Sequence, residues 1–95
     1  MNIGIAIKQL RKKHQLSQVE LAEQSGLTQT ALSQIESGAR RPSPESLKRL
    51  TDFFKVPEIV IYLLATEMQD VPEDKKDMFE KVFPNVRNML LGLLE

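Results

Sequence analysis

The sequence contains no cysteine and no tryptophan, and it has one histidine, one tyrosine and four phenylalanines. Disulfide bridges and thiolate metal sites are therefore excluded. Because aromatic residues are so few, the core must consist mainly of leucine, isoleucine, valine and alanine. No ligand cluster accompanies the single histidine, His14, so we expect neither a metal site nor a cofactor.

A long apolar run is also missing. The longest one, Ile59 to Ala65, is far shorter than the roughly 20 residues of a membrane-spanning helix. Near the N-terminus the basic residues follow the apolar stretch, which is the wrong order for a signal peptide. These features predict a soluble intracellular protein. The sequence contains no nucleophile–base arrangement and no phosphate-binding glycine loop, so it does not indicate an enzyme.

The chain carries no net charge, but its two parts differ in sign. Residues 1–65 hold nine basic and six acidic side chains, whereas residues 66–95 hold four basic and seven acidic ones. The basic front part is attracted to a polyanion, whereas the acidic tail is repelled by it. The length suits one small domain with an appendage.

Every structured segment is predicted to be helical, since no stretch alternates apolar and polar residues long enough for a strand. Side chains that suit helix N-caps precede the first four helices, at Asn2, Ser17, Thr28 and Ser43. A fifth, largely apolar helix is expected at about 58–65. In the tail we expect a sixth helix from about residue 73, an interruption at Pro84 and a last helix after it.

The stretch from Ser17 to Gly38 carries the most information. Ser17 and Glu20 have the spacing of a capping box. Gly26 suits the left-handed residue that ends a helix. Two short helices joined by a tight turn that contains glycine are typical of a helix-turn-helix.

This stretch resembles the signature of the Cro/C1-type (XRE) helix-turn-helix family, the lambda-repressor-like DNA-binding domain of five helices. The matching positions are Gln18, Leu21-Ala22, Gly26-Leu27, Leu32-Ser33, Ile35-Glu36 and Gly38. The resemblance covers roughly residues 2–65. It implies an all-α fold with a DNA-binding domain at 1–65. At 66–95 the helical spacing of apolar residues predicts a helical C-terminal extension of about two helices.

In this family the N-terminal residues of the third helix meet base edges in the major groove. The helix expected at 28–37 presents uncharged hydrogen-bonding side chains on its outer face. Glutamine can pair with adenine, and the threonine methyl group can contact thymine. The predicted base-contacting residues are Gln29, Thr30, Ser33 and Gln34. A merely solvated polar face is the alternative.

Phosphate contacts are expected beside this helix. The predicted residues are Gln18, Thr28, Arg40 and Arg41, of which the first two lie at helix N-termini. The family pattern also implies a buried or half-buried ion pair between Arg11 and Glu36. The alternative is that both charges are solvated.

The tail matches no family, and its large apolar side chains allow two interpretations. It covers the fifth helix within one subunit, or it forms a symmetric dimer interface with that helix. We favour the dimer, because regulators of this family generally act as two-fold dimers. The candidate residues are Ile59, Tyr62, Leu63, Phe79, Phe83, Val86, Leu90, Leu93 and Leu94.

The resemblance therefore implies a sequence-specific, double-stranded-DNA-binding transcriptional regulator. We expect a homodimeric repressor on a near-palindromic operator, in a prokaryotic or phage-like cytoplasm and associated with the nucleoid, without a membrane partner. The alternative is an antitoxin whose tail binds a toxin while its front half represses the operon. Polymerase is a further possible protein partner.

Overall fold

The computed structural model describes residues 1–93, and within that range the chain forms six α-helices and no strand. The helices are α1 (Ile3–Lys13), α2 (Gln18–Ser25), α3 (Gln29–Ser37), α4 (Pro44–Phe54), α5 (Glu58–Ala65) and α6 (Lys76–Leu93). Two short 3-10 turns, Met68–Asp70 and Glu73–Lys75, connect α5 to α6. The all-α prediction is confirmed. None of these helices is long and apolar enough to cross a lipid bilayer.

Capping side chains fix where α2 begins and ends. The Glu20 N–H donates to Ser17 Oγ at 3.1 Å, and the Ser17 N–H donates to Glu20 Oε1 at 3.0 Å. This hydrogen bond from the Ser17 backbone lowers the pKa of the Glu20 carboxyl. Gly26 ends the helix with φ 79°, a conformation that glycine adopts without steric penalty. The predicted capping box and glycine turn are therefore confirmed.

The core is centred on α1, which packs against α3 and α5, and α2 and α4 add further buried side chains to it. Its fully buried side chains are aliphatic, as the scarcity of aromatic residues predicted: Ile7, Leu10, Leu21, Leu32, Ile35, Leu50, Ile61 and Leu64. Gly4 lets α1 approach α3, because a Cβ atom there would collide with the carbonyl oxygen of Ile35. The core therefore holds α3 directly against α1.

The predicted break at Pro84 is wrong, because α6 runs through this residue as one helix. A proline inside a helix removes one backbone hydrogen bond and costs about 3 kcal/mol. Pro84 lies on the exposed side of α6, whereas Phe83 is buried and Leu90 packs against the core. The apolar side of the helix thus continues across the proline, and its burial offsets the missing hydrogen bond.

The N-terminus is attached to the start of the tail. The Met1 ammonium group lies 2.7 Å from an Asp70 carboxylate oxygen and 3.0 Å from one of Glu67. These contacts raise the pKa of the ammonium group and lower that of Asp70. The Asn2 N–H also donates to the carbonyl oxygen of Ala65 at 2.8 Å. The beginning of α1 and the end of α5 are thereby held together.

Candidate nucleic-acid interface

The outer face of α3 is a small, uncharged polar surface. Its four predicted base-contacting side chains are all exposed: Gln29, Thr30, Ser33 and Gln34. Leu32 and Ile35, on the opposite side of the same helix, are buried. An α-helix with its side chains is about 10–12 Å across, which suits a major groove about 12 Å wide. The fold therefore presents these four side chains together.

Both ends of α3 are held in place. At its start, Thr28 Oγ1 accepts a hydrogen bond from the Ala31 N–H at 3.0 Å. At its end, Gly38 adopts φ 83°, and the Arg40 N–H donates to the carbonyl oxygen of Gln34 at 3.2 Å. The loop that follows the helix is thus anchored to its last turn.

A buried ion pair joins α1 to α3. Arg11 Nε donates to Glu36 Oε2 at 2.8 Å, and Arg11 Nη2 donates to Glu36 Oε1 at 2.9 Å. The two residues are only 9% and 7% exposed. The hydrogen bonds to Glu36 raise the pKa of Arg11. A third donor, Nη1, reaches the carbonyl oxygen of Leu16 at 2.8 Å, so one guanidinium also orders the loop before α2.

Gln18 belongs to the same network. Its Nε2 atom donates to Glu36 Oε1 at 3.2 Å, and the side chain is half-buried. One of its amide hydrogens is therefore engaged inside the protein, and the second remains available to an acceptor such as a phosphate. The signature residues of the sequence do not reveal this hydrogen bond between α2 and α3.

The two predicted cationic contacts lie on the loop after α3. Arg40 and Arg41 are exposed, and neither guanidinium has an ion pair or hydrogen bond with the part of the chain described. Exposed, unpaired arginines are common partners of nucleic-acid phosphates. Thr28 is also exposed, and its hydroxyl hydrogen can donate while the oxygen caps α3.

Sequence reasoning missed one residue that supports the turn between α2 and α3. Arg49 of α4 lies 3.5 Å through Nη1 from the carbonyl oxygen of Gly26 and 3.0 Å through Nη2 from Glu45 Oε1. The spacing of Glu45 and Arg49 could have predicted their ion pair. Nothing in the sequence indicates the contact with Gly26.

The dimerisation candidates fall into three groups. Ile59, Leu63 and Leu93 are exposed, Phe83 is buried, and the half-buried members are Tyr62, Phe79, Val86 and Leu90. Leu94 lies outside the described residues. The tail therefore covers part of the core and still leaves apolar surface free. Met78, Val82 and Met89, which the candidates did not include, are 62%, 50% and 66% exposed.

The helix-turn-helix at α2 and α3, within five packed helices and with a braced polar face on α3, defines a lambda-repressor-like DNA-binding domain. The helix-turn-helix family matches residues 7–61, and the chain belongs to the Cro/C1-type helix-turn-helix family of DNA-binding transcriptional regulators. The resemblance seen in the sequence is confirmed.

Several relatives are transcription regulators by name. The chain is 43% identical over its whole length to the HTH-type transcriptional activator BcrR of Enterococcus faecalis, of which it covers 45%. It is 36% identical over 79% of its length to the ImmF control region 10 kDa protein of Bacillus phage phi105, of which it covers 81%. With the competence pilus inhibition repressor of Acinetobacter baylyi it shares 34% identity over 81% of its length, covering 70% of that protein.

The chain spans about half the length of two of the relatives it matches, 45% of BcrR and 56% of the HTH-type transcriptional regulator RghRB of Bacillus subtilis. No solved structure gives a significant match.

Proposed function

We propose that this protein binds double-stranded DNA sequence-specifically by placing α3 in the major groove. The observation that carries the proposal is the exposed polar face of α3, held by the buried pair of Arg11 and Glu36. Gln29 and Gln34 offer amides that can pair bidentately with adenine. Thr30 and Ser33 add a methyl group and hydroxyl groups. A rigid helix limits the entropy cost when these side chains meet the bases.

Phosphate contacts on both sides of α3 complete the proposed interface. Arg40 and Arg41 neutralise phosphates from the loop after the helix, and Gln18 and Thr28 donate hydrogen bonds from the helix starts. Because few cations take part, the affinity of one subunit is modest and falls with salt. Two subunits are therefore needed for tight binding.

The proposed dimer forms through α6 and the exposed side of α5, with residues 1–65 as the DNA-binding unit and 66–95 as the pairing unit. Met78, Val82, Met89 and Leu93 recur at helical spacing and are all exposed, so they form one apolar stripe along α6. Such a stripe on a small protein is typical of an interaction surface. A two-fold dimer would read a near-palindromic operator with half-sites about 34–36 Å apart or a multiple of it.

We propose repression by occlusion of a promoter as the regulatory outcome, without catalytic activity and in the cytoplasm at the nucleoid. The relative described as the competence pilus inhibition repressor supports repression. The relative described as an activator supports activation instead. Measuring transcription from a promoter that carries the selected operator distinguishes repression from activation. Added protein lowers the transcript level if it is a repressor and raises it if it is an activator.

The antitoxin function is a second candidate, and the apolar stripe on α6 is the observation that favours it. A toxin would cover the stripe in place of the second copy. Purification of the untagged protein from its native host tests this, because a stoichiometric second protein bound through α6 would support the antitoxin and contradict the homodimer.

Selection of bound sequences from a random DNA pool tests the main proposal. The expected result is an enriched motif with two related half-sites separated by one or more helical turns. Enrichment of one unrepeated half-site would contradict the dimer but leave base reading intact. The absence of any enriched motif would contradict sequence-specific binding.

A further inference from the structure

An open apolar groove of about 330 Å³ lies along the first half of α6. Val71, Met78, Val82 and Val86 are among the side chains that line it, and its walls expose only apolar atoms. Lys75 is the only charged residue at the groove, and it contributes only the apolar part of its side chain to the wall. Covering such a surface with another apolar surface is favourable, because both are removed from water.

The second half of α6 carries side chains suited to cover a groove of this kind. Met89 and Leu93 are 66% and 80% exposed, more than any other large apolar side chain within residues 1–93. Neither of them lines the groove, which ends at Val86. One helix therefore carries an apolar groove near its start and two protruding apolar side chains near its end.

The spacing of the apolar stripe on α6 is the same in both directions along the helix. Its members Met78, Val82, Met89 and Leu93 are separated by four, seven and four residues. When two copies of α6 lie side by side in opposite directions, Met78 comes opposite the partner subunit's Leu93, and Val82 comes opposite the partner's Met89. Each contact then occurs twice, as a two-fold axis requires. The stripe is therefore complementary to an inverted copy of itself.

A parallel pair of helices lacks this complementarity. It would place groove against groove, and Met89 and Leu93 against their own copies. It would also bring Lys75, which has no ion pair within residues 1–93, beside the partner subunit's Lys75, where like charges repel. In an antiparallel pair Lys75 lies towards the carboxyl end of the partner's α6, where the helix dipole attracts a cation.

We propose that a second copy of this chain covers the groove, with the two α6 helices antiparallel. Met89 and Leu93 of each subunit pack into the groove of the other, and the two-fold axis passes between Asn85 and Val86. This arrangement rests on the proposed dimer and specifies the direction and the register of its helices.

Disulfide cross-linking of the full chain tests the register, and the native sequence has no cysteine to interfere. Val82→Cys/Met89→Cys should give a covalent dimer on mild oxidation, because position 82 of one subunit faces position 89 of the other. Neither single variant should cross-link, since equal positions are offset by about 10 Å along the helix and a disulfide needs Cα atoms within about 7 Å. Both side chains are exposed, so the changes spare the core. Lys81→Cys/Asn88→Cys is the control, because it has the same spacing at exposed positions outside the stripe and should not cross-link.

A pair of opposite charges tests the direction of the helices with a different measurement. Val82→Glu/Met89→Lys places opposite charges across an antiparallel interface, whereas Val82→Glu/Met89→Glu places like charges there. The Kd of the dimer, measured by sedimentation equilibrium, should therefore be at least about tenfold lower for the first variant. A parallel pair would bring like charges together in both variants, so equal Kd values would overturn the antiparallel arrangement.

The outcomes separate this arrangement from the proposed dimer itself. A covalent dimer of the double cysteine variant, with no cross-link in either single variant, supports the arrangement. Cross-linking of a single variant overturns it. It is also overturned if no cysteine variant cross-links while the native chain sediments as a dimer, and the proposed dimer then stands without it. A native chain that sediments as a monomer overturns both, as does a stoichiometric second protein bound to the stripe in place of the second copy, while selection from random DNA still tests base reading separately.

Discussion

Gly4 of α1 lies directly against the backbone carbonyl of Ile35 in α3. This contact determines how closely the first helix supports the proposed recognition helix. We predict that Gly4→Ala destabilises the protein by about 1–3 kcal/mol, because the added methyl group forces the two helices apart. Urea unfolding followed by circular dichroism measures the change. Gly92→Ala is the control, since a Cβ atom there meets no atom within 4 Å and should change stability by no more than about 1 kcal/mol. Equal behaviour of the two variants would contradict the close packing.

The ion pair of Arg11 and Glu36 gives a second prediction. Arg11→Met should reduce the free energy of unfolding by about 3–5 kcal/mol, because Glu36 would remain buried with a charge that only Gln18 still contacts. Replacing both partners by methionine should restore much of the stability, since no buried charge is left. Lys48→Met breaks the exposed pair with Asp52 and serves as control, with an expected loss below about 1 kcal/mol. A loss of that small size for Arg11→Met would show that the buried pair does not brace α3.

Base reading by Gln29 is tested with the operator obtained by selection. Gln29→Ala should weaken the preference for the base pair it contacts by about 1–3 kcal/mol while the thermal unfolding curve stays unchanged. Competition binding with single-base variants of the operator measures the preference. Gln69→Ala, an exposed glutamine in the segment after α5, should leave every preference intact. If Gln29→Ala discriminates between bases as well as the native protein does, α3 does not read DNA through this residue.

The arginines after α3 are predicted to act on phosphates rather than on bases. The double variant Arg40→Ala/Arg41→Ala should weaken binding to specific and nonspecific DNA alike. The slope of log K against log salt should fall by about 0.9 for each phosphate that the variant no longer neutralises. Fluorescence anisotropy over a range of salt concentrations measures this slope, and Lys81→Ala on α6 controls for a general decrease in positive charge. An unchanged slope would place both arginines away from the phosphates.

The apolar stripe on α6 gives a direct test of the proposed dimer. Val82→Glu with Met89→Glu places two charges on the stripe without touching the buried Phe83, so the fold should persist and the dimer should dissociate. Sedimentation velocity measures the state of association. Asn88→Glu adds a charge to an exposed polar position of the same helix and should leave the dimer intact. Association that survives the double change would remove α6 from the interface.

Much of the fold was predictable because its signals are local. A capping side chain such as Ser17 bonds to a backbone group only three residues away, so the sequence alone places the helix start. Gly26 marks the turn for the same reason. The polar face of α3 also follows from residue spacing within one helix.

Contacts between distant residues could not be predicted in this way. The approach of Gly4 to Ile35 and the contact of Arg49 with Gly26 depend on how helices far apart in sequence are packed. Residue spacing within one helix carries no information on these positions.

The tail shows most clearly which features followed from the sequence and which from the packing. Its sequence alone showed an acidic segment whose apolar residues recur at helical spacing. Local rules assigned a break to Pro84, because a proline removes a backbone hydrogen bond. Only the tertiary structure decided that one helix continues, because it buries Phe83 and packs Leu90 against the core, and this burial opposes the cost of the missing bond. The sequence by itself determined the helix-turn-helix and its polar face, because those signals act over a few residues. The tertiary structure decided how the two ends of the chain meet, because that depends on surfaces formed only when the helices pack.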